Sequence, residues 1–346
     1  MLISVQALRA FAAWLVVFHH FMQVFFDFKS DSLIGHLLSS RGQVGVDIFF
    51  VISGFVIYVS TAGKHIPSRK FLLNRLARIV PAYWLYTVIT ALIIYFAGDV
   101  MPVYGLSVKE LIMSMLFLPS ENPGGFGLYP ILPVGWSLNF EMLFYVIFAL
   151  SFVVTERYRL WIVTGLVIMM CPLLANQAFV SDFYTNPIIF EFLFGIVIGV
   201  AYKRGLIPAS IWLPALVAAV SFATLLLFDD QNNLRLLTWG IPAALLVTSF
   251  ISMEALFADN HVVKAMGDWS YSVYLVHIIV LWCGDYVLHE HFGINPYITF
   301  ILCLPIIVLL SWLSYEVVER QLSCKIKQAF SATPRLLGRC AGTRDT

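Results

Sequence analysis

The chain has 346 residues, of which 60% are hydrophobic and only 12% charged, with a mean hydropathy of +0.86. Soluble globular domains carry about 25% charged residues, so this composition excludes one and indicates a membrane protein. A formal net charge of +1 gives no electrostatic basis for a nucleic-acid partner.

Apolar stretches near the ~20 residues needed to cross a bilayer recur at 8–26, 43–62, 79–97, 136–154, 158–175, 186–202, 211–228, 236–257, 270–288 and 297–317. The expected fold is all-α: one bundle of about ten transmembrane helices over residues 1–320, then a short cytoplasmic tail, 321–346. With the amino terminus inside, 17 of the 21 Lys and Arg residues fall on the cytoplasmic side, and only Lys29, Arg41, Lys109 and Arg235 fall outside. Both termini are then cytoplasmic. The first span carries Arg9, His19 and His20 and has no small-residue cleavage site after it, so it is expected to stay as a helix.

Within that span Arg9 and His20 stand eleven residues apart. At ~100° per residue they return to nearly one helix face, separated by roughly 16 Å along the axis. An intramembrane cation and imidazole persist mainly where they line a cavity or pathway; a snorkelling Arg and a packing His are the alternative. Asp47 opens the second span in Gly45-Val-Asp-Ile-Phe-Phe-Val-Ile-Ser-Gly54, where it either caps the helix or touches an acceptor hydroxyl. Arg75 and Arg78 share a face at the inner boundary of the third span, with Arg69 close by. They suit bidentate phosphate binding or anchoring to lipid headgroups.

The connection 98–135 contains turn chemistry at Asn122-Pro-Gly-Gly, and reads equally as a lid over an outward-facing site or as a long loop. Glu141 lies near the outer end of the fourth span, in Trp136-Ser-Leu-Asn-Phe-Glu141, at a depth similar to His20, and pairing between the two would fix the imidazole tautomer. Gly195 and Gly199 form a small-xxx-small pair that predicts close helix packing. His277 sits mid-depth in the ninth span as a buried, hydrogen-bonded His. Glu316 and Glu319 end the last span and are expected to pair with nearby Arg or Lys. There is no nucleophile elbow, Walker loop, HExxH or paired CxxC, and no metal site is predicted.

Five blocks in order resemble the membrane acyltransferase-3 family, which O-acylates sugars of exported glycans. They are Leu8-Arg-Ala-Phe-Ala-Ala-Trp-Leu-Val-Val-Phe-His-His20, Val46-Asp-Ile-Phe-Phe-Val-Ile-Ser-Gly-Phe55, Phe71-x3-Arg75-x2-Arg78-Ile-Val-Pro81, Trp136 to Glu141, and Trp269-Ser-Tyr-Ser-Val-Tyr-Leu-Val-His277. The resemblance covers nearly the whole chain. It implies about ten helices, an acyl-CoA donor on the cytoplasmic side, acetyl-CoA first, and a glycan or lipid-linked sugar acceptor near the outer side of the bacterial inner membrane. It carries catalysis onto Arg9 and His20; Glu141 is expected, from its depth, to orient or charge-stabilise His20. Donor binding falls on Arg75, Arg78 and the neighbouring Arg69, and Asp47, Trp136 and His277 are the candidate acceptor contacts. Asn139-Phe140 departs from the many members that have a second acidic or another polar residue before the Glu, which leaves the role of Glu141 open. The competing class is a transporter that uses the buried Arg, His and Glu as an ion relay; no repeat or inverted halves are evident.

Overall fold

The computed structural model describes residues 2–175, 181–228 and 234–330. Thirteen α-helices and no strand occur among the described residues. They are α1 (Ile3–Phe26), α2 (Leu33–Arg41), α3 (Val44–Thr61), α4 (Ser68–Phe96), α5 (Val108–Met115), α6 (Trp136–Leu150), α7 (Glu156–Ala175), α8 (Glu191–Lys203), α9 (Trp212–Leu227), α10 (Ile241–Ser252), α11 (His261–Gly284), α12 (Pro296–Ser314) and α13 (Ser323–Ala329). Single π-helical stretches precede α10 and follow α11 and α12.

Local chemistry sets the helix ends. The first backbone N–H groups of α1, from Ile3 and Ser4, donate to the Glu254 carboxylate at 2.7 and 2.9 Å, placing a negative charge at the helix amino terminus. At the other end Asp27 turns left-handed (φ 49°), and the Phe28 N–H returns 2.9 Å to the Met22 carbonyl. Asn260 caps α11 through Val263 N–H, and Asn295 caps α12 through Tyr297 N–H with Pro296 at the first turn.

Among the described residues, six segments are long and apolar enough to cross a membrane: Ile3–Phe26, Val44–Thr61, Ser68–Phe96, Pro133–Val153, His261–His291 and Pro296–Ala329. The expectation of about ten spans is not confirmed, these six being the ones that qualify among the described residues. The 13 residues of α8, the 16 of α9 and the 17 of Leu236–Ser252 are shorter than a straight crossing requires. Outward faces fit lipid. On α4, Trp84, Val88 and Leu92 follow one another at one-turn spacing and are all exposed, and α12 exposes Ile298, Ile301 and Leu309. Pro81 and Pro305 lie inside these two helices, as bundle helices tolerate.

The core is aromatic where α3, α6 and α8 meet. Phe192 stacks between Phe50 (4.5 Å between ring centroids) and Phe144 (4.2 Å). Glycines bring α3 and α8 into backbone contact, as the small-xxx-small pair predicts. A Cβ on Gly195 would stand 2.0 Å from the Val51 carbonyl oxygen, and one on Gly54 2.1 Å from that of Phe192. Gly195→Ala is therefore expected to force the helices apart and lower stability by about 1–3 kcal/mol, read as a lower thermal midpoint in detergent. An unchanged midpoint would show that the contact is not held.

The 98–135 connection packs on the bundle. It buries Tyr104, Phe117, Ile131 and Leu132 against the bundle, and Tyr104 meets Trp282 of α11 edge-on at 5.9 Å. Asn122 organises its turn, the side-chain oxygen accepting from Gly105 and Gly124 N–H. Helix continues through Tyr315–Leu322 and α13, into the segment read as the tail. Residues 331–346 of that tail lie outside the described residues.

Candidate active site

Five helices enclose a cavity of about 770 Å³, counting its open mouth. Arg9 enters from α1, Phe49, Phe50, Ser53 and Val56 from α3, and Arg75, Arg78 and Ile79 from α4. Ser137, Leu138, Glu141 and Tyr145 come from α6, and Tyr271 and Tyr274 from α11. Each polar lining residue follows from helix periodicity. Arg75 and Arg78 are three apart, Glu141 and Tyr145 four, and Tyr271 and Tyr274 three, so each pair presents one face to the interior.

Glu141 is held by neutral donors. Ser53 Oγ donates to its Oε1 at 2.9 Å and the Tyr145 hydroxyl at 2.5 Å. Among the described residues no ion pair within 4.0 Å joins it to a guanidinium. Arg75 Nη2 donates to Ser60 Oγ at 2.8 Å, and its guanidinium lies 5.6 Å from the centre of the Phe71 ring. Arg9, 7% exposed, donates to Gln6 Oε1 at 3.0 Å, and the Gln6 amide in turn donates to Asp268. The lining thus carries three guanidinium groups against one carboxylate. Arg9 is buried and Arg75 and Arg78 are half-buried, and guanidinium forks grouped on one cavity wall suit a polyanionic ligand.

Above the cavity, Tyr274 leads to a pair of imidazoles. Its hydroxyl donates to the Val134 carbonyl at 2.8 Å and meets Ser137 Oγ at 2.7 Å, while its ring centre lies 6.1 Å from that of His277. His277 is fully buried, and its Nε2 lies 3.2 Å from His20 Nδ1.

The structure therefore brings Arg9, Glu141, Arg75 and Arg78 together, and His20 with His277. It does not place His20 on the cavity wall beside Arg9, and the expected contact between Glu141 and His20 is absent. α6 presents its carboxylate to α3, whereas α1 packs along α11. Arg69 is exposed on the first turn of α4, away from the cavity. Trp136 starts α6 and packs edge-on against Phe140 at 6.1 Å without lining the cavity.

Asp47 neither caps α3, whose N-cap is Gln43, nor faces the cavity. Its carboxylate is fully buried and pairs with Arg235 Nη2 at 2.8 Å, close to the buried Glu191. Of the two terminal glutamates, Glu316 pairs with Arg320 at 2.7 Å, as expected, but Glu319 accepts from Ser272 Oγ instead. Sequence reasoning missed Ser53, Ser137, Tyr145, Tyr271 and Tyr274. A usable signal existed for two of them: Tyr145 lies one turn beyond Glu141 and Tyr274 one turn before His277.

Comparison with known proteins gives the family. A family model described as an acyltransferase domain matches residues 2–316. The exopolysaccharide production protein ExoZ of Rhizobium meliloti is 35% identical over 257 residues, covering 69% of this chain and 77% of that protein. The acyltransferase MdmB of Streptomyces mycarofaciens is 25% identical over 324 residues, 84% of this chain and 81% of its own. The O-acetyltransferase OatA of Staphylococcus aureus is 24% identical across 98% of this chain, which spans 60% of OatA. No solved structure matches the chain. With the family model running through nearly every helix that builds the cavity and the histidine pair, this chain belongs to the acyltransferase family it describes.

Proposed function

We propose that the protein is an integral membrane O-acyltransferase that takes an acyl group, acetyl first, from cytoplasmic acyl-CoA and passes it to a hydroxyl of an exported polysaccharide or its lipid-linked precursor. It would sit in the bacterial inner membrane with both termini inside. The observation that carries this reading is the cavity with three guanidinium groups and one carboxylate, in a chain of acyltransferase family. Guanidinium forks match the phosphate groups of a CoA-type donor. The aromatic and aliphatic wall formed by Phe49, Phe50, Ile52 and Ile79 suits the uncharged thioester arm. The name of the relative ExoZ points to an exopolysaccharide acceptor.

In this reading Arg75, Arg78 and Arg9 hold the donor, and Tyr274 is the lining residue nearest the imidazole pair, its ring centre 6.1 Å from that of His277. The imidazole either removes the acceptor's hydroxyl proton as the hydroxyl attacks the thioester or carries the acyl group first. Family membership weighs against the ion-relay transporter.

Protein purified in detergent should release free CoA thiol from acetyl-CoA, faster when glycan acceptor is added, and cells lacking it should show surface glycans with less acetate. Unchanged acetate together with no thiol release at any acceptor concentration would remove this reading.

A further inference from the structure

The two imidazoles between α1 and α11 are arranged so that their neighbours dictate where the protons sit. Nδ1 of His277 lies 2.9 Å from the Val273 carbonyl oxygen, and Nδ1 of His20 lies 2.9 Å from that of Val16. A carbonyl only accepts, so in each neutral ring Nδ1 is the protonated nitrogen. His277 is then left with a bare Nε2, and this atom faces His20 Nδ1 at 3.2 Å. The His20 Nδ1–H is shared between the Val16 carbonyl and His277 Nε2, and the unprotonated nitrogen of His20 is Nε2.

We propose that His277 is a positioning residue: it locks the tautomer and ring orientation of His20 so that Nε2 is the reacting atom. The proposal rests on the reading of His20 as base or acyl carrier given above. A carboxylate commonly does this work for a reactive imidazole. Here none is within hydrogen-bond reach of His20 among the described residues, since Glu141 is taken by Ser53 and Tyr145. His277 is itself fixed, by its backbone bond and by the Tyr274 ring, and its complete burial keeps water from competing for Nε2. His19, whose ring centre is 5.2 Å from that of His20, turns its own Nδ1 to the Leu38 carbonyl at 3.2 Å and leaves the pair undisturbed.

The chemistry balances around one nitrogen. As the acceptor oxygen bonds to the thioester carbon, its proton passes to His20 Nε2. The C–S bond breaks, and the departing thiolate takes that proton to leave as CoA thiol. Nδ1 keeps its proton throughout, and while the ring is cationic its hydrogen bond to His277 becomes charge-assisted and stronger. In the two-step route the Nε2 lone pair bonds to the thioester carbon as the C–S bond breaks and thiolate leaves; the acceptor oxygen then bonds to that carbon, the C–N bond breaks, and the hydroxyl proton passes to the freed Nε2 and on to the thiolate.

The test measures thiol-release kinetics against acyl-CoA for H277L, H277F and H277Q beside H20A. Leu and Phe remove the acceptor, whereas Gln offers an amide oxygen in place of Nε2. Loss of an orienting partner of this kind typically costs about 10- to 100-fold. The expected result is a fall of that size in kcat for H277L and H277F with the donor KM within about twofold of the parent, and recovery of most of that kcat in H277Q. The unchanged donor KM shows that the variants are folded. A kcat for H277L or H277F equal to the parent beside an inactive H20A overturns the proposal alone, as does a glutamine variant no faster than the leucine one. Full activity in H20A overturns the assignment of His20 on which it rests.

Discussion

Alanine in place of His20 is expected to lower kcat about 1000-fold and to leave a folded protein that still binds acyl-CoA. The effect should be this large because neither neighbouring imidazole stands where His20 Nε2 does: both are held by backbone bonds, His277 Nδ1 to the Val273 carbonyl on α11 and His19 Nδ1 to the Leu38 carbonyl. Folding should survive. The substitution leaves the His277 bond to Val273 intact and puts a strong helix former into the last third of α1, while the unpaired His277 Nε2 costs about 1–3 kcal/mol. Single-turnover acyl transfer and a thermal midpoint separate the two quantities. Transfer at the parent rate would take the imidazole out of the chemistry, whatever the stability.

The second large effect concerns the donor. R75A and R78A are each expected to raise the KM for acyl-CoA about 10- to 100-fold, because a hydrogen bond to a charged group contributes about 1.5–3 kcal/mol and every 1.4 kcal/mol is tenfold in affinity. Arg75 is steadied by Ser60 and by the Phe71 ring, and Arg78 lines the same cavity with no hydrogen bond or ion pair among the described residues, so both can turn to an incoming phosphate. At saturating donor, kcat should change far less than KM, since neither guanidinium touches His20. Equal losses in kcat with an unchanged KM would show instead that these residues act at the reacting thioester. Steady-state rates over a wide range of acyl-CoA concentration decide between the two.

How much of this was legible beforehand depends on whether a contact is local. Hydropathy identified the six long helices because length and apolarity are properties of a continuous segment. It does not separate α8 and α9 from full crossings, because a hydropathy window averages over residues that a short helix and its flanking turns share. The shared face of Arg75 and Arg78, and that of Glu141 and Tyr145, could be read from spacing, being fixed by one helix turn. The Asp47–Arg235 pair spans 188 residues of sequence, and the His20–His277 contact spans 257. Such pairings follow from the register between whole helices, which no local pattern encodes. The same limit explains why Glu141 was expected beside His20: equal depth in a bilayer does not tell which neighbour a helix faces. The glycines of α8 were legible because a small residue repeated every four positions leaves only one way to use the space.

The glycine contact between α3 and α8 also bears on how the enzyme can move. α3 supplies much of one cavity wall, and its backbone touches that of α8 with no side chain between them to act as a cushion. The two helices must therefore shift as a single strut, with the Phe50, Phe192 and Phe144 rings clamping that strut to α6. Any breathing that admits a bulky donor has to be supplied from the opposite side, where α4 carries Pro81 within its length and is tethered to α11 by the hydrogen bond from the Tyr271 hydroxyl to the Ile79 carbonyl.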